Sequence, residues 1–313
     1  MMSNLQQLQE RLAKRVCICL NKSFAQLTTI GCGGEIAIVA YPTTIRQLRL
    51  CLRWAKRLSV PHLVLGRGSN LLASDDKFLG LVICTTRLSK VRRFATTVWC
   101  QCGASTARIA KYCAARGLTG AEFWYCLPAS VGGAVVMNAG CFGADTSSIV
   151  SRVYYLDGTR LCSISGRQCR FGKRTSLFKQ SDKVVVAAKL RLGRGNSKAI
   201  RARCKAMMEK KRLTQPLGQK TFGSAFFNDS GTASRLIDQA GLKNFRIGDA
   251  KVSNLHAGFV INIDKATSFD IYLLLRHVQS QVYLRFGEIL SLEVQTTGFF
   301  EETNDLGRLP HSH

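Results

Sequence analysis

The sequence predicts an α+β protein of two domains, and three observations carry that expectation. Helix and strand signals are mixed along the chain, without the regular alternation that builds a doubly wound parallel sheet. At 313 residues and 46% hydrophobic content, the chain is long enough for two well-buried cores. One stretch, Gly193-Arg194-Gly195-Asn196-Ser197, interrupts the pattern and reads as a linker. The expected organisation is a helical leader over 1–24, a first domain over 25–197, a second, smaller α+β domain over 198–296 and a tail over 297–313.

Met1–Arg15 is a polar, helix-like segment without the apolar core of a signal peptide. Leu27–Thr44 reads as a turn and a strand carried by Ile36, Ile38 and Val39 and closed by Pro42. Ile45, Leu48, Leu52 and Ala55 then fall at helical spacing until Pro61. His62–Leu65, Leu79–Thr85 and Val98–Gly103 are strand candidates, and Ser105 is the N-cap of a helix ended by Gly117. Val153–Leu156 and Lys183–Leu192 read as further strands. Beyond the linker, Ala199–Leu213 is a basic helix stopped before Pro216, and Thr232–Ala240 a short helix stopped by Gly241. Thr267–Phe286 gives the clearest helical signal. Thr267 and Asp270 form a capping-box-like pair, Ile271, Leu274, Leu275, Val278 and Val282 share one face, and Gly287 follows.

Lys+Arg 45 against Asp+Glu 19 gives a net charge of +26, a field that attracts polyanions. The basic residues are spread along the chain without an arginine-rich arm or an aromatic-basic module. Gathering of phosphate-bearing small molecules is therefore expected ahead of nucleic-acid binding. The thirteen cysteines are odd in number, with Cys17/Cys19 and Cys100/Cys102 as C-x-C pairs and no C-x-x-C. With only five histidines, neither a disulfide scaffold nor a zinc site is expected. Reduced, buried thiols, a cytoplasmic location and no membrane span are the expectation.

Chemistry is suggested by two glycine-rich stretches, Gly66–Leu72 (GRGSNLL) and Cys126–Gly143 (CLPASVGGAVVMNAGCFG). Each places glycine and small polar residues where backbone N–H groups could approach a phosphate or a flat ring. The first lacks the third glycine of G-x-G-x-x-G, and no G-K-[ST] follows either, so a Rossmann site and a P-loop are disfavoured. Composition alone leaves two ordinary glycine turns as an equal alternative.

Both stretches resemble the cofactor loops of the UDP-N-acetylenolpyruvoylglucosamine reductases, the MurB family of FAD enzymes of peptidoglycan synthesis. FGKRTSLF at Phe171–Phe178, GSAFFN at Gly223–Asn228 and LEV at Leu292–Val294 resemble further segments of that family, in the family's order. So do LTTIGCGGEIAIVAYPTT from Leu27 and AGLKNFRIGDAKVSNLHAGFVIN from Ala240. The resemblance implies an N-terminal FAD-binding domain of the type shared with flavin oxidases (PCMH-like), followed by a substrate domain. It further implies FAD as cofactor, NADPH as hydride donor and a UDP-sugar enolpyruvate as the small-molecule substrate. Ping-pong kinetics follow. The short spacing from Arg174 to Ser224 and the chain's end soon after Glu293 resemble the compact subtype, which lacks an inserted substrate-covering loop.

By the same match, Ser224 would be the proton donor, with Arg174 and Glu293 orienting and polarising the substrate carboxylate and developing enolate. Read without the resemblance, Ser224 is a structural serine, Arg174 one of many surface arginines and Glu293 a solvated residue on a strand face. The resemblance assigns flavin contacts to Gly66, Gly68, Ser69, Asn70 and Leu71, and to Ser130, Gly132, Gly133, Asn138 and Gly140. It makes Asn228 a contact of the nucleotide sugar or diphosphate. His256 reads either as a substrate contact or as a polar residue at the start of a strand. Three departures stand out: Lys173 where the family has tyrosine, Ala129 where it commonly has glycine, and Arg67 in place of a small residue. Arg67 could reach a phosphate or simply face solvent. Two other classes stay open, a flavin oxidase of related fold and a basic nucleic-acid-binding protein.

Overall fold

The computed structural model describes residues 2–298. Its helices are, in chain order, α1 (Met2–Ala13), α2 (Phe24–Leu27), α3 (Ile45–Arg57), α4 (Thr106–Ala114), α5 (Val131–Val136), α6 (Ser197–Thr214), α7 (Ala233–Gln239) and α8 (Ser268–Phe286). The chain divides into two compact units. One comprises the chain up to Leu20, Ala37–Arg67 and Leu79–Leu213; the other comprises Asn21–Ile36, Gly68–Phe78 and the chain from Thr214 onward.

Two larger sheets form the frame of the first unit. In one, Cys17–Cys19 lies antiparallel to Val39–Tyr41, and His62–Leu65 runs parallel to Leu81–Cys84. α3 covers it because Leu48, Cys51, Leu52 and Ala55 fall on one buried face, and Thr44 caps the helix by accepting the Gln47 N–H at 3.2 Å. The other sheet is antiparallel, in the order Arg160–Ser165, Val150–Asp157, Val184–Arg191, Thr97–Gln101, Val91–Phe94. Its inward residues Val98, Cys100, Val153, Val186 and Leu190 join Ile109 and Trp124 in one core.

Two expected boundaries fall differently. Leu8 and Leu12 of α1 are fully buried in that same core, so the expected leader is part of the first unit up to Leu20, while Asn21–Phe24 belongs to the second. The expected linker is fixed as well: Gly193–Arg194 pairs with Leu118–Thr119, Gly195 N–H donates to Gly117 O at 2.9 Å, and the Ser197 hydroxyl donates to Ala114 O at 2.6 Å. Glycine serves close backbone packing here, since a Cβ on Gly193 would lie 2.9 Å from Thr119 Cγ2. α6 continues in the first unit, tied by Arg203 to Glu122 at 2.6 Å. The structural division therefore lies at Leu213 rather than 197.

In the second unit, Arg246–Ile247, Ala250–Val252 and Val260–Asn262 form a three-stranded antiparallel sheet. α8 buries Ile271, Leu274, Leu275, Val278 and Val282 in the core of this unit, each contributing about 1.5–3 kcal/mol. The Thr267 hydroxyl accepts from Asp270 N–H and the Asp270 carboxylate from Thr267 N–H, both at 3.0 Å. At the other end Gly287 adopts φ +68°, the left-handed conformation that closes a helix. Leu72 enters this core from Leu71–Ala73, which runs parallel to Gln295–Thr297. Strand Gln295–Thr297 thus includes the first residue of the expected tail; residues 299–313 lie outside the described residues.

All thirteen cysteines are free, and Cys17 alone is exposed. Burial pushes the thiols of Cys51, Cys102 and Cys113 up to about 12 and that of Cys32 to about 11, so these are inert packing groups. No helix among the described residues is long and apolar enough to cross a membrane.

Candidate active site

In the first unit, Gly66 leaves the C-terminal end of strand His62–Leu65, beside the end of its parallel neighbour Phe78–Cys84. Ligands gather at the carboxyl ends of parallel strands. The Thr85 hydroxyl fastens this corner by donating to Leu65 O at 3.0 Å. A Cβ on Gly66 would strike Ser130 Oγ, so the two glycine stretches meet here. Ser130 caps α5, its Oγ accepting from Gly133 N–H at 3.3 Å. The approach to Ser130 is held by Thr106, whose hydroxyl donates to Leu127 O at 2.7 Å and Ala129 O at 3.1 Å.

The other glycines of the second stretch divide by environment. A Cβ on Gly132 would crowd Cys102 Cβ at 3.0 Å, and one on Gly140 would collide with the Ala144 carbonyl, so the fold itself requires glycine at 140. Gly133 is exposed and meets only Ser130 Oγ, at 3.4 Å, leaving open space at the surface. Ala129 is not among the residues with positive φ, so the missing glycine costs no strain. Arg67 is exposed.

Arg174 occupies a tight turn in the same unit. Gly172 N–H donates to Thr175 O at 3.1 Å, Thr175 N–H returns to Gly172 O at 3.4 Å, and Arg174 sits at φ +54°. Asn138, 4% exposed, donates through Nδ2 to Gly172 O at 3.0 Å. Lys173 is exposed. Cys141 links this turn to a residue that the sequence pattern does not single out: burial raises its thiol to about 11, against the lowering pull of Lys211 and Arg174. Lys211 donates from Nζ to Cys126 O at 2.5 Å, and burial pushes its ammonium below the ordinary range. It is hidden among the many Lys and Arg of α6, where spacing gives no sign of which one turns inward.

In the second unit, strand Phe226–Phe227 pairs antiparallel with Ser291–Leu292. Continued by one residue, that register sets Glu293 opposite Ala225, and Glu293 N–H donates to Ala225 O at 2.8 Å. Ser224 is therefore next to the residue that Glu293 holds. Its Oγ donates to Phe226 O at 3.3 Å, and its backbone bridges to Phe259. Glu293 lies at the junction of two short strands with different partners, rather than within the single strand expected over 290–295.

Gly68, Ser69, Asn70 and Leu71 also lie in this unit. Gly68 adopts φ +63°, and its carbonyl accepts from Thr29 N–H at 3.1 Å. Leu71 is 7% exposed and stands opposite Gln295 in the parallel pair. The Asn228 amide caps the start of α7: Oδ1 accepts from Thr232 N–H at 2.8 Å and Ala233 N–H at 3.1 Å, while Nδ2 donates to the Thr232 hydroxyl at 3.1 Å. His256 forms a turn, Nδ1 accepting from Gly258 N–H at 3.2 Å with its ring edge-to-face on Phe259. Burial lowers its pKa below the ordinary 6.5, and the Gly258 bond assigns the neutral proton to Nε2.

Residues 36–159 match the model of an FAD binding domain, and residues 215–297 match that of the UDP-N-acetylenolpyruvoylglucosamine reductase C-terminal domain. The chain is 35% identical over 280 residues to the UDP-N-acetylenolpyruvoylglucosamine reductase of Lactiplantibacillus plantarum, covering 89% of this chain and 93% of the relative. Against the enzyme of that name from Synechococcus sp. it is 36% identical over 282 residues, covering 89% and 90%. The crystal structure of the Thermus caldophilus reductase superposes with a TM-score of 0.77 at 29% identity, over 91% of this chain and 99% of that one. Similarity of this extent in sequence and in fold establishes that the chain belongs to the UDP-N-acetylenolpyruvoylglucosamine reductase family.

Proposed function

We propose that this protein reduces UDP-N-acetylglucosamine enolpyruvate to UDP-N-acetylmuramate, an FAD-dependent step of peptidoglycan precursor synthesis that uses NADPH. The observation that carries the chemistry is the register placing Glu293 opposite Ala225, beside Ser224. The first unit offers a flavin the corner where Gly66 meets Ser130, a close approach that a Cβ at 66 would crowd, with Gly133 open at the surface. Gly66 and Ser130–Gly133 of the first unit would hold the cofactor. A flavin held there would supply the hydride chemistry that links NADPH oxidation to reduction at C3 of the enolpyruvyl ether.

The chain's own residues supply the rest. Arg174 offers a planar fork of donors suited to the substrate carboxylate, holding it as charge builds there. The Ser224 hydroxyl delivers the proton to C2, and Glu293 orients and polarises the developing enolate. Asn228 shapes the start of α7, where we place recognition of the nucleotide sugar, and His256 contributes a neutral Nε2–H donor to the substrate. Lys211 braces the second glycine stretch by donating from Nζ to the Cys126 carbonyl. The net charge of +26 serves to gather phosphate-bearing small molecules rather than nucleic acid. We assign the reaction to the cytoplasm, a reading supported by thirteen unpaired cysteines.

Product analysis tests the assignment. Incubated with FAD, NADPH and the enolpyruvate under anaerobic conditions, the protein should return a product heavier by two hydrogens, with one NADPH consumed per product. Oxidation of NADPH only when oxygen is present, with the enolpyruvate unchanged, would leave an oxidase.

A further inference from the structure

Each glycine stretch contains one asparagine, and in each the side chain is engaged with the chain itself. Asn138 donates both amide hydrogens, to Gly172 O and to Asp145 Oδ2 at 3.0 Å each, while its Oδ1 accepts from Ser147 N–H at 2.9 Å. Gly172 opens the turn that bears Arg174, and the far side of that turn is fixed by the Ser176 hydroxyl on Val136 O at 2.8 Å. A non-glycine residue at φ +54°, as Arg174 is, persists only where its surroundings over-determine it.

Asn70 does the same in the second unit. Its Nδ2 donates to Glu293 O at 3.0 Å, and its own carbonyl accepts from Gln295 N–H at 3.1 Å. With Glu293 N–H on Ala225 O, the Glu293 backbone is held on both sides. This bridge spans 223 residues of sequence, at the point where the chain changes from one strand partner to another.

We infer that Asn138 and Asn70 are positioning residues, each pinning the backbone beside one catalytic group, Arg174 and Glu293 respectively. The inference rests on the roles proposed above for those two groups. It gives the asparagine side chains a task distinct from holding the flavin. Displacement of a reacting group by about 1 Å can lower its step on the order of 100-fold, so the effect belongs to substrate reduction and not to cofactor capture.

The test uses full-length flavin-loaded protein and two variants, Asn138→Gly and Asn70→Ala. Glycine at 138 deletes the amide while tolerating φ +43°. Flavin affinity is read by fluorescence titration, and the two half-reactions separately by anaerobic stopped flow. In each variant the substrate-driven reoxidation should fall at least about tenfold further than the NADPH-driven reduction. Asn138→Gly added to Arg174→Ala, and Asn70→Ala added to Glu293→Gln, should cost little beyond the second change alone. Equal loss in both half-reactions together with weakened flavin binding would overturn the inference, as would additive double variants. If Asn138→Gly does not fold, the Asn70 and Glu293 variants decide between these outcomes by themselves. Wild-type reoxidation in Arg174→Ala and Glu293→Gln alone would instead refute the catalytic roles, whatever the asparagines do.

Discussion

Gly66→Ala puts the meeting of the two glycine stretches to a quantitative test. The added methyl group would clash with Ser130 Oγ and lie 3.2 Å from Ser130 Cβ. To make room, Ser130 must swing its hydroxyl off the Gly133 N–H, losing an N-cap worth about 1 kcal/mol. Residual crowding against the Ser130 Cβ adds about 1–2 kcal/mol. The sum, about 2–3 kcal/mol, corresponds to a roughly 30- to 150-fold loss of flavin affinity if all of it falls on the cofactor-bound state. Ser130→Gly removes both clashing atoms and itself costs a few tenths of a kcal/mol as a cap. In that background Gly66→Ala should cost less than about 1 kcal/mol. Flavin fluorescence titration and thermal unfolding of the four proteins would measure the coupling. Additivity to within about 0.5 kcal/mol would refute the contact.

Ser224→Ala should leave reduction by NADPH within about threefold of wild type and slow substrate-driven reoxidation by on the order of 100- to 10,000-fold, the range for general acid catalysis; equal slowing of both steps counts against a proton donor. His256, whose pKa is depressed by burial, favours the folded state while neutral; its contribution is present above pH 6.5 and is lost as the pH falls through the lower folded value. Urea unfolding of His256→Gln should therefore decline less than wild type between pH 7 and pH 5, and an unchanged slope argues against a buried imidazole. For Glu122, burial alone would raise the carboxyl, but bonds from Thr119, Arg203 and Gly120 outweigh it and hold the pKa below 4.5. Arg203→Ala should cost about 0.5–1 kcal/mol at pH 7, discounted because Arg203 is half exposed, with the gap to wild type closing as the pH falls through the depressed value. A gap that persists at pH 2 would assign the loss to packing.

Local signals carried the helices well. The capping box of Thr267 and Asp270, the buried stripe of α8 and the terminal Gly287 are all written within about twenty residues. What the sequence hides is pairing across distance. Gly193–Arg194 looks like a linker until Leu118–Thr119 is laid against it, and a two-residue strand has no period to detect. Residues 290–295 alternate as one strand would, yet the chain exchanges Phe226–Phe227 for Leu71–Ala73 on either side of Glu293. Ser224, Arg174 and Glu293 enter the candidate site through family resemblance alone, since each looks ordinary by composition. Asn70, Asn138 and Lys211 differ, because their structural tasks depend on carbonyl partners 223, 34 and 85 residues away. Amide side chains that brace a distant carbonyl leave no trace in periodicity.

An anaerobic stopped-flow trace, with NADPH added first and UDP-N-acetylglucosamine enolpyruvate second, tests the proposed reaction most directly. The flavin absorbance should bleach with the nucleotide and return with the enolpyruvate, in two separable phases. Bleaching that reverses only when oxygen is admitted would contradict the substrate assignment, and the absence of any flavin band after reconstitution would contradict the cofactor site at Gly66 and Ser130.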